Sequence, residues 1–274
     1  MDQLKKPNII LIYTDQQRYD ALGANGNTLI RTPNIDQLAH EGVRLTDHYV
    51  TTPLCTPSRV ACFTGRYNHT NLSDFNNRPI SHKEVNMAAH LREHGYRTGL
   101  SGKDHCFGSL KNEAFDWYKE ASHHGFLPPT NEQERKINEF RKDKINKPYS
   151  DDPYPPESNI TASLFDAGMA FIEESNDQPF FLWLSLPDPH PPYMVPEPYY
   201  SMYDDIELPP TAWVEGEAAN KPYRQQLLTK WNRYDKDYPN QTELDRYRKV
   251  YWGMVSYIDD QIGRLLEFTK LKGL

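Results

Sequence analysis

Two stretches of the chain, Pro7-Asn-Ile-Ile-Leu-Ile-Tyr-Thr14 and Pro179-Phe-Phe-Leu-Trp-Leu-Ser-Leu186, are apolar and β-forming for about the length of one strand, with no polar face. A strand of that kind must be covered on both sides, which is the habit of a parallel sheet layered between helices. Tyr96–Ser101 reads as a third strand, and Val43–Val50 as a further one. Helical spacing marks Asn34–Glu41, stopped by Gly42; Val85–His94, ended by Gly95; and Ile160–Glu174. The last helix, Glu243–Lys270, carries an apolar stripe of Tyr247, Val250, Met254, Tyr257, Ile258, Ile262, Leu265 and Leu266. Strands alternating with helices give an α/β fold with a largely parallel central sheet flanked by helices.

Each of the three strands runs into polar residues. The first ends at Asp15-Gln16, the second at Gly102-Lys103-Asp104-His105, and the third at Pro187-Asp188-Pro189-His190. Open α/β sheets gather ligands outside the carboxyl ends of their strands, so these clusters are expected to share one edge. Asp15 and Gln16 offer oxygen ligands to a hard cation such as Ca²⁺ or Mg²⁺. Taken alone, Asp15 is a helix cap, Lys103 a solvated lysine and His190 a loop residue; the strand-end position is what raises them. Gly102 lets the backbone approach a ligand closely, and the prolines around His190 stiffen its turn.

A fourth element belongs with them. In Cys55-Thr56-Pro57-Ser58-Arg59, Pro57 suits the first turn of a helix and Thr56 its N-cap. Cys55 then sits among free N–H groups at the positive end of a helix dipole, a place that favours anions. Arg59, one turn on, can return a planar cation to the same spot. An isolated cysteine near a helix start is otherwise a small buried hydrophobe. His48, His69, His94, His123 and His124 read as solvated or ordinary packing.

Composition narrows the class. The chain has 274 residues, a net charge of −7 and no basic block, which argues against nucleic-acid binding. No apolar run is long enough to cross a membrane. Cys55, Cys62 and Cys106 are too few and scattered for a disulfide framework or a zinc site. Met1–Lys6 is polar and leads straight into a strand, with no secretory signal as written, so the compartment stays open. Residues 117–156 are polar and proline-bearing and read as an insertion over the surface. Residues 191–239, rich in proline and tyrosine, read as a cover at the site mouth.

The run Cys55-Thr-Pro-Ser-Arg59, continued by Phe63-Thr-Gly-Arg-Tyr67, resembles the active-site motif of the type I sulfatases, formylglycine-dependent members of the alkaline phosphatase-like superfamily. Gly102-Lys103-x-His105 and His190-Pro-Pro-Tyr193 resemble further motifs of that family. The resemblance implies the sulfatase fold and hydrolysis of a sulfate monoester on a carbohydrate or aryl alcohol. It implies that Cys55 is oxidised to formylglycine by a formylglycine-generating or anaerobic sulfatase-maturing enzyme. It implies that Arg59 stabilises the aldehyde hydrate and that Lys103 and His105 contact sulfate and nucleophile. It implies that His190 serves the ester oxygen, and that Asp15, Gln16 and the residue derived from Cys55 bind Ca²⁺ or Mg²⁺. Gln16 stands where family members often carry a second aspartate. The alternatives are a phosphonate monoester or phosphodiester hydrolase of the same superfamily and a non-catalytic anion-binding fragment. The resemblance also implies that residues 1–274 are the N-terminal portion of a longer catalytic domain. The strand that usually completes the metal site would follow Leu274, so metal affinity and activity of this chain alone are expected to be impaired.

Overall fold

A computed structural model describes residues 6–144, 149–211, 216–231 and 240–274. Its strands are β1 (Ile9–Tyr13), β2 (Arg97–Gly102), β3 (Trp117–Ser122), β4 (Gly125–Phe126), β5 (Tyr149–Asp152), β6 (Phe180–Ser185) and β7 (Tyr193–Pro196). Its α-helices are α1 (Pro33–Glu41), α2 (Cys55–Thr64), α3 (Asn68–Asn71), α4 (Met87–Glu93), α5 (Lys111–Ala114), α6 (Glu132–Lys144), α7 (Ile160–Glu174), α8 (Tyr223–Trp231) and α9 (Gln241–Leu271). The central sheet has the order β1-β6-β2-β3-β4 and is parallel except for the β3–β4 hairpin; β5 and β7 form a separate parallel pair.

Register explains why the strand tips meet. Ser185, the last residue of β6, is opposite Tyr13 of β1 and also opposite Gly102 of β2. Three strands therefore finish level, and the residues that follow them leave the sheet at one edge. Successive residues of β6 face opposite layers. Phe180, Leu182 and Leu184 join α7 and α9 in one core, while Phe181 and Trp183 join Val60 and Phe63 of α2 in the other.

Helix ends follow local chemistry. Asn159 caps α7 through Thr161 N, and Asn240 forms a capping box with Glu243 at the start of α9. Helix α2 differs from expectation: Leu54 is its N-cap and supplies no side-chain bond. Thr56 instead donates from Oγ1 to the His105 carbonyl at 2.7 Å, and Asn76 Oδ1 accepts from Thr56 N at 3.1 Å. The hydroxyl ties the helix to the loop after β2 rather than capping its own turn.

Three other expectations change. Strand β1 is half-buried rather than covered on both faces, because it is the edge strand of the described sheet. Val43–Val50 forms no strand. Val43, Leu45 and Tyr49 are exposed, with no neighbouring strand among the described residues to pair with them. Within the segment 117–156, of which 145–148 lie outside the described residues, β3 pairs with β2 inside the sheet, α6 packs on β4, and β5 pairs with β7. Of the segment 191–239, part lies outside the described residues; β7 lies against α9. Among the described residues, no helix is long and apolar enough to cross a membrane.

Candidate active site

At the level edge of the sheet, Asp15 is the hub. Its Oδ2 accepts from Lys103 Nζ at 2.5 Å and from Arg59 Nη2 at 3.1 Å, and its Oδ1 faces Cys55 Sγ at 3.8 Å. Burial alone would raise the Asp15 carboxyl; the Lys103 ammonium and the Arg59 guanidinium outweigh it and hold the group below the usual carboxylate range. Ligand atoms of Asp15, Cys55 and His190 lie within 4.8 Å of one another. Four chain-distant segments thus place Asp15, Cys55, Arg59, Lys103 and His190 in one cluster.

Arg59 is fully buried beneath α2. Besides Asp15 it donates from Nη1 to the Lys103 carbonyl at 3.1 Å and to Ser185 Oγ at 2.5 Å, with Tyr13 ring carbons beside its face. One guanidinium therefore fastens the ends of β1, β2 and β6 together, a use of its fixed fork that lysine could not reproduce. Gly102 is needed for a related reason. Its φ is +114°, and a Cβ there would lie 1.8 Å from the Ser185 carbonyl oxygen. The close approach is to a neighbouring strand.

His123, read from sequence as ordinary packing, is a member of the cluster. Its Nε2 lies 2.7 Å from Lys103 Nζ, and its ring stacks on His190 with centroids 3.7 Å apart and planes 20° from parallel. Burial, the Lys103 charge and His190 together push its pKa down to about 3, so the imidazole is neutral at pH 7. An ammonium can only donate, so Nε2 accepts and Nδ1 carries the proton. That Nδ1 is buried without a hydrogen-bond partner among the described residues. The signal for His123 is its position: it follows β3 as His190 follows β6, but the polar composition of β3 hides the strand in the sequence.

Two expected residues make no side-chain hydrogen bond to the cluster among the described residues. Gln16 is exposed, with φ +60° and its carbonyl accepting from the Tyr251 hydroxyl at 3.0 Å; none of the hydrogen bonds among the described residues joins its side chain to Asp15, Cys55 or His190. His105 is exposed at the rim, with φ +55°. Partial burial and the nearby Lys103 and Arg59 charges lower its pKa, but its backbone carbonyl, not its ring, makes the bond to α2.

The donor set bears on a metal. Asp15, Cys55 and His190 offer one carboxylate, one thiol and one imidazole, whereas Ca²⁺ takes about six to eight oxygens and Mg²⁺ an octahedron of them. The single carboxylate already carries two cations. The described residues alone do not make a hard-cation site.

The family model for sulfatases matches residues 7–272, and the chain belongs to the sulfatase family. Its architecture is the alkaline phosphatase-like sulfatase fold. The chain is 30% identical over 300 residues to an arylsulfatase of Clostridium perfringens, an alignment covering 97% of this chain and 60% of that protein. It is 26% identical over 281 residues to an uncharacterized sulfatase, YidJ, of Escherichia coli, covering 96% of this chain and 54% of that one. The phosphonate monoester hydrolase of Agrobacterium radiobacter has a similar fold, with a TM-score of 0.77 at 24% identity over 98% of this chain and 60% of that chain. The chain spans about 60% of the length of the first of these relatives.

Proposed function

We propose that this chain carries the sulfate-cleaving centre of a sulfuric ester hydrolase, acting on a sulfate monoester of a carbohydrate or aryl alcohol after a maturing enzyme converts Cys55 to formylglycine. The observation that carries the reading is the meeting of Cys55 Sγ, the Asp15 carboxylate and the His190 ring within 4.8 Å, with Lys103 and Arg59 bonded to Asp15. The aldehyde hydrate would supply one hydroxyl to attack sulfur and a second to expel sulfate.

The remaining work falls to this chain's own side chains. Lys103 has three N–H groups; one is given to Asp15 and one to His123, which leaves one for a sulfate oxygen. Its charge, held in a buried setting, stabilises the transferring group. His190 Nδ1 lies 2.6 Å from the Pro191 carbonyl, which only accepts; Nδ1 therefore carries a proton and Nε2 is the nitrogen free to exchange one with the leaving alcohol. Arg59 keeps Asp15 and Lys103 in register. A divalent cation, Ca²⁺ or Mg²⁺, would require oxygen ligands beyond Asp15, and no step here depends on it.

The test is to produce the protein together with a formylglycine-generating enzyme, verify the Cys55 peptide by mass spectrometry, and compare 4-nitrophenyl sulfate with a 4-nitrophenyl phosphonate monoester. Faster turnover of the sulfate supports the reading. Preference for the phosphonate moves it to the sister activity, and an unconverted thiol with no turnover of either points to an anion-binding fragment.

A further inference from the structure

Helix α6 buries a charge that its docking does not need. Its inward stripe is Glu134, Ile137 and Arg141. Glu134 receives Lys119 Nζ at 2.5 Å, Ile137 is in the core, and Asn138 brackets Phe126 by accepting from its N–H at 2.8 Å and donating to its carbonyl at 2.9 Å. These contacts fasten α6 to the β3–β4 hairpin. Arg141 lies beyond them, with its side chain 1% exposed.

Its guanidinium reaches two different segments. Nε donates to the His123 carbonyl at 3.1 Å, and Nη2 donates to Asp188 Oδ1 at 3.4 Å. Asp188 is held at its other oxygen by the Thr161 hydroxyl at 2.6 Å, and its carbonyl accepts from Asp15 N at 3.2 Å. His123 and Asp188 belong to segments leaving β3 and β6, and β2 lies between those strands. No ladder bond joins the two segments, yet they carry the stacked imidazoles of His123 and His190.

We propose that Arg141 is a positioning residue: one buried guanidinium sets the His123 turn against the Asp188–His190 turn, and so holds the two rings as a pair beside Lys103. The importance of the pair for turnover rests on the function proposed above; the geometry does not. Burying an ion pair is weak evidence of stability, because apolar replacements of equal volume often do as well. Arg141 Nη1 is buried without a partner among the described residues, a further cost that packing alone does not explain. A fork with two fixed donors in the right plane is what the position requires.

The experiment compares Arg141→Lys with the double variant Arg141→Met/Asp188→Asn, which removes both charges so that neither is stranded. Crystal structures of both are solved, and kcat and KM are measured on 4-nitrophenyl sulfate with the matured protein. The expected result for the double variant is a displaced ring pair and a kcat lower by about 100-fold, the scale of a misplacement near 1 Å, with KM changed by less than about threefold. Arg141→Lys, which can hold one partner but not both, falls between. Rings that stay stacked beside Lys103 in the double variant overturn the proposal, as does a kcat within about threefold of the parent. Should the parent cleave neither sulfate nor phosphonate esters, the functional reading fails, and the ring positions alone decide the role of Arg141.

Discussion

The Lys103 ammonium donates to Asp15 Oδ2 at 2.5 Å and so joins the ends of two strands that are not neighbours, since β6 runs between β1 and β2. The bond spans the tip of the central strand because all three strands finish level. It also sets the electrostatics of the site. One carboxylate is shared by two buried cations, and the rest of the cluster is arranged around it.

Removing the anion should therefore cost more than removing either cation. Asp15→Asn leaves Lys103 and Arg59 buried without their counter-charge, with an expected loss of about 3–5 kcal/mol in chemical denaturation. Lys103→Met should cost less, because Arg59 still faces Asp15. The two changes should be non-additive by about 1–3 kcal/mol in a double-mutant cycle. Simple additivity would show that the pair is not coupled.

Stability should fall as pH is lowered from neutrality. An unfolded histidine takes up a proton near 6.5, but folded His123 does so only at about 3. Between those values the unfolded state binds more protons, so acid favours unfolding. Asp15 adds the same sign at lower pH: its contribution is present above the ordinary 3.8 and is lost as pH falls through its lowered folded value. Thermal unfolding at pH 7 and pH 4.5 checks this, and His123→Gln should flatten the dependence. An unchanged slope in that variant would place the acid sensitivity elsewhere.

Gly102→Ala should be costly although the change adds one methyl. The new Cβ would sit 1.8 Å from Ser185 O at a φ of +114°. Backbone strain and overpacking together should destabilise by at least about 2 kcal/mol, with Lys103 displaced. A neutral effect on the urea midpoint would contradict the close contact of β2 with β6.

Cys55→Ala should abolish turnover of 4-nitrophenyl sulfate while shifting stability by less than about 1 kcal/mol, since the thiol is partly exposed and its hydrogen bond among the described residues is the long 3.8 Å approach to Asp15. Retained activity would exclude Cys55 as the origin of the nucleophile. Cys106 is a poor substitute, as burial pushes its thiol well up.

Much of this arrangement is written locally. The run around β6 and the helix Ile160–Glu174 are legible because a residue's burial there follows from its immediate neighbours in the chain; β1 is legible as a strand, but its half-burial follows from its edge position. The strand-end positions of Asp15, Lys103 and His190 could be read for the same reason. Val43–Val50 misleads because β-forming residues become a strand only where a partner edge exists, and here none among the described residues pairs with them. β3 misleads in the opposite direction. Trp117-Tyr-Lys-Glu-Ala-Ser122 lacks an apolar run and is a strand because β2 offers it an edge.

The amino-acid order by itself determined the α/β class, the apolar strands and the turn carrying Cys55, because these depend on spacing within one short segment. Tertiary structure alone decided that His123 joins Lys103 and His190, and that Arg141 bonds to both turns. Each of those outcomes depends on which strand ends come level across the sheet, and hydrogen-bond register between distant segments has no signature in the spacing of either one.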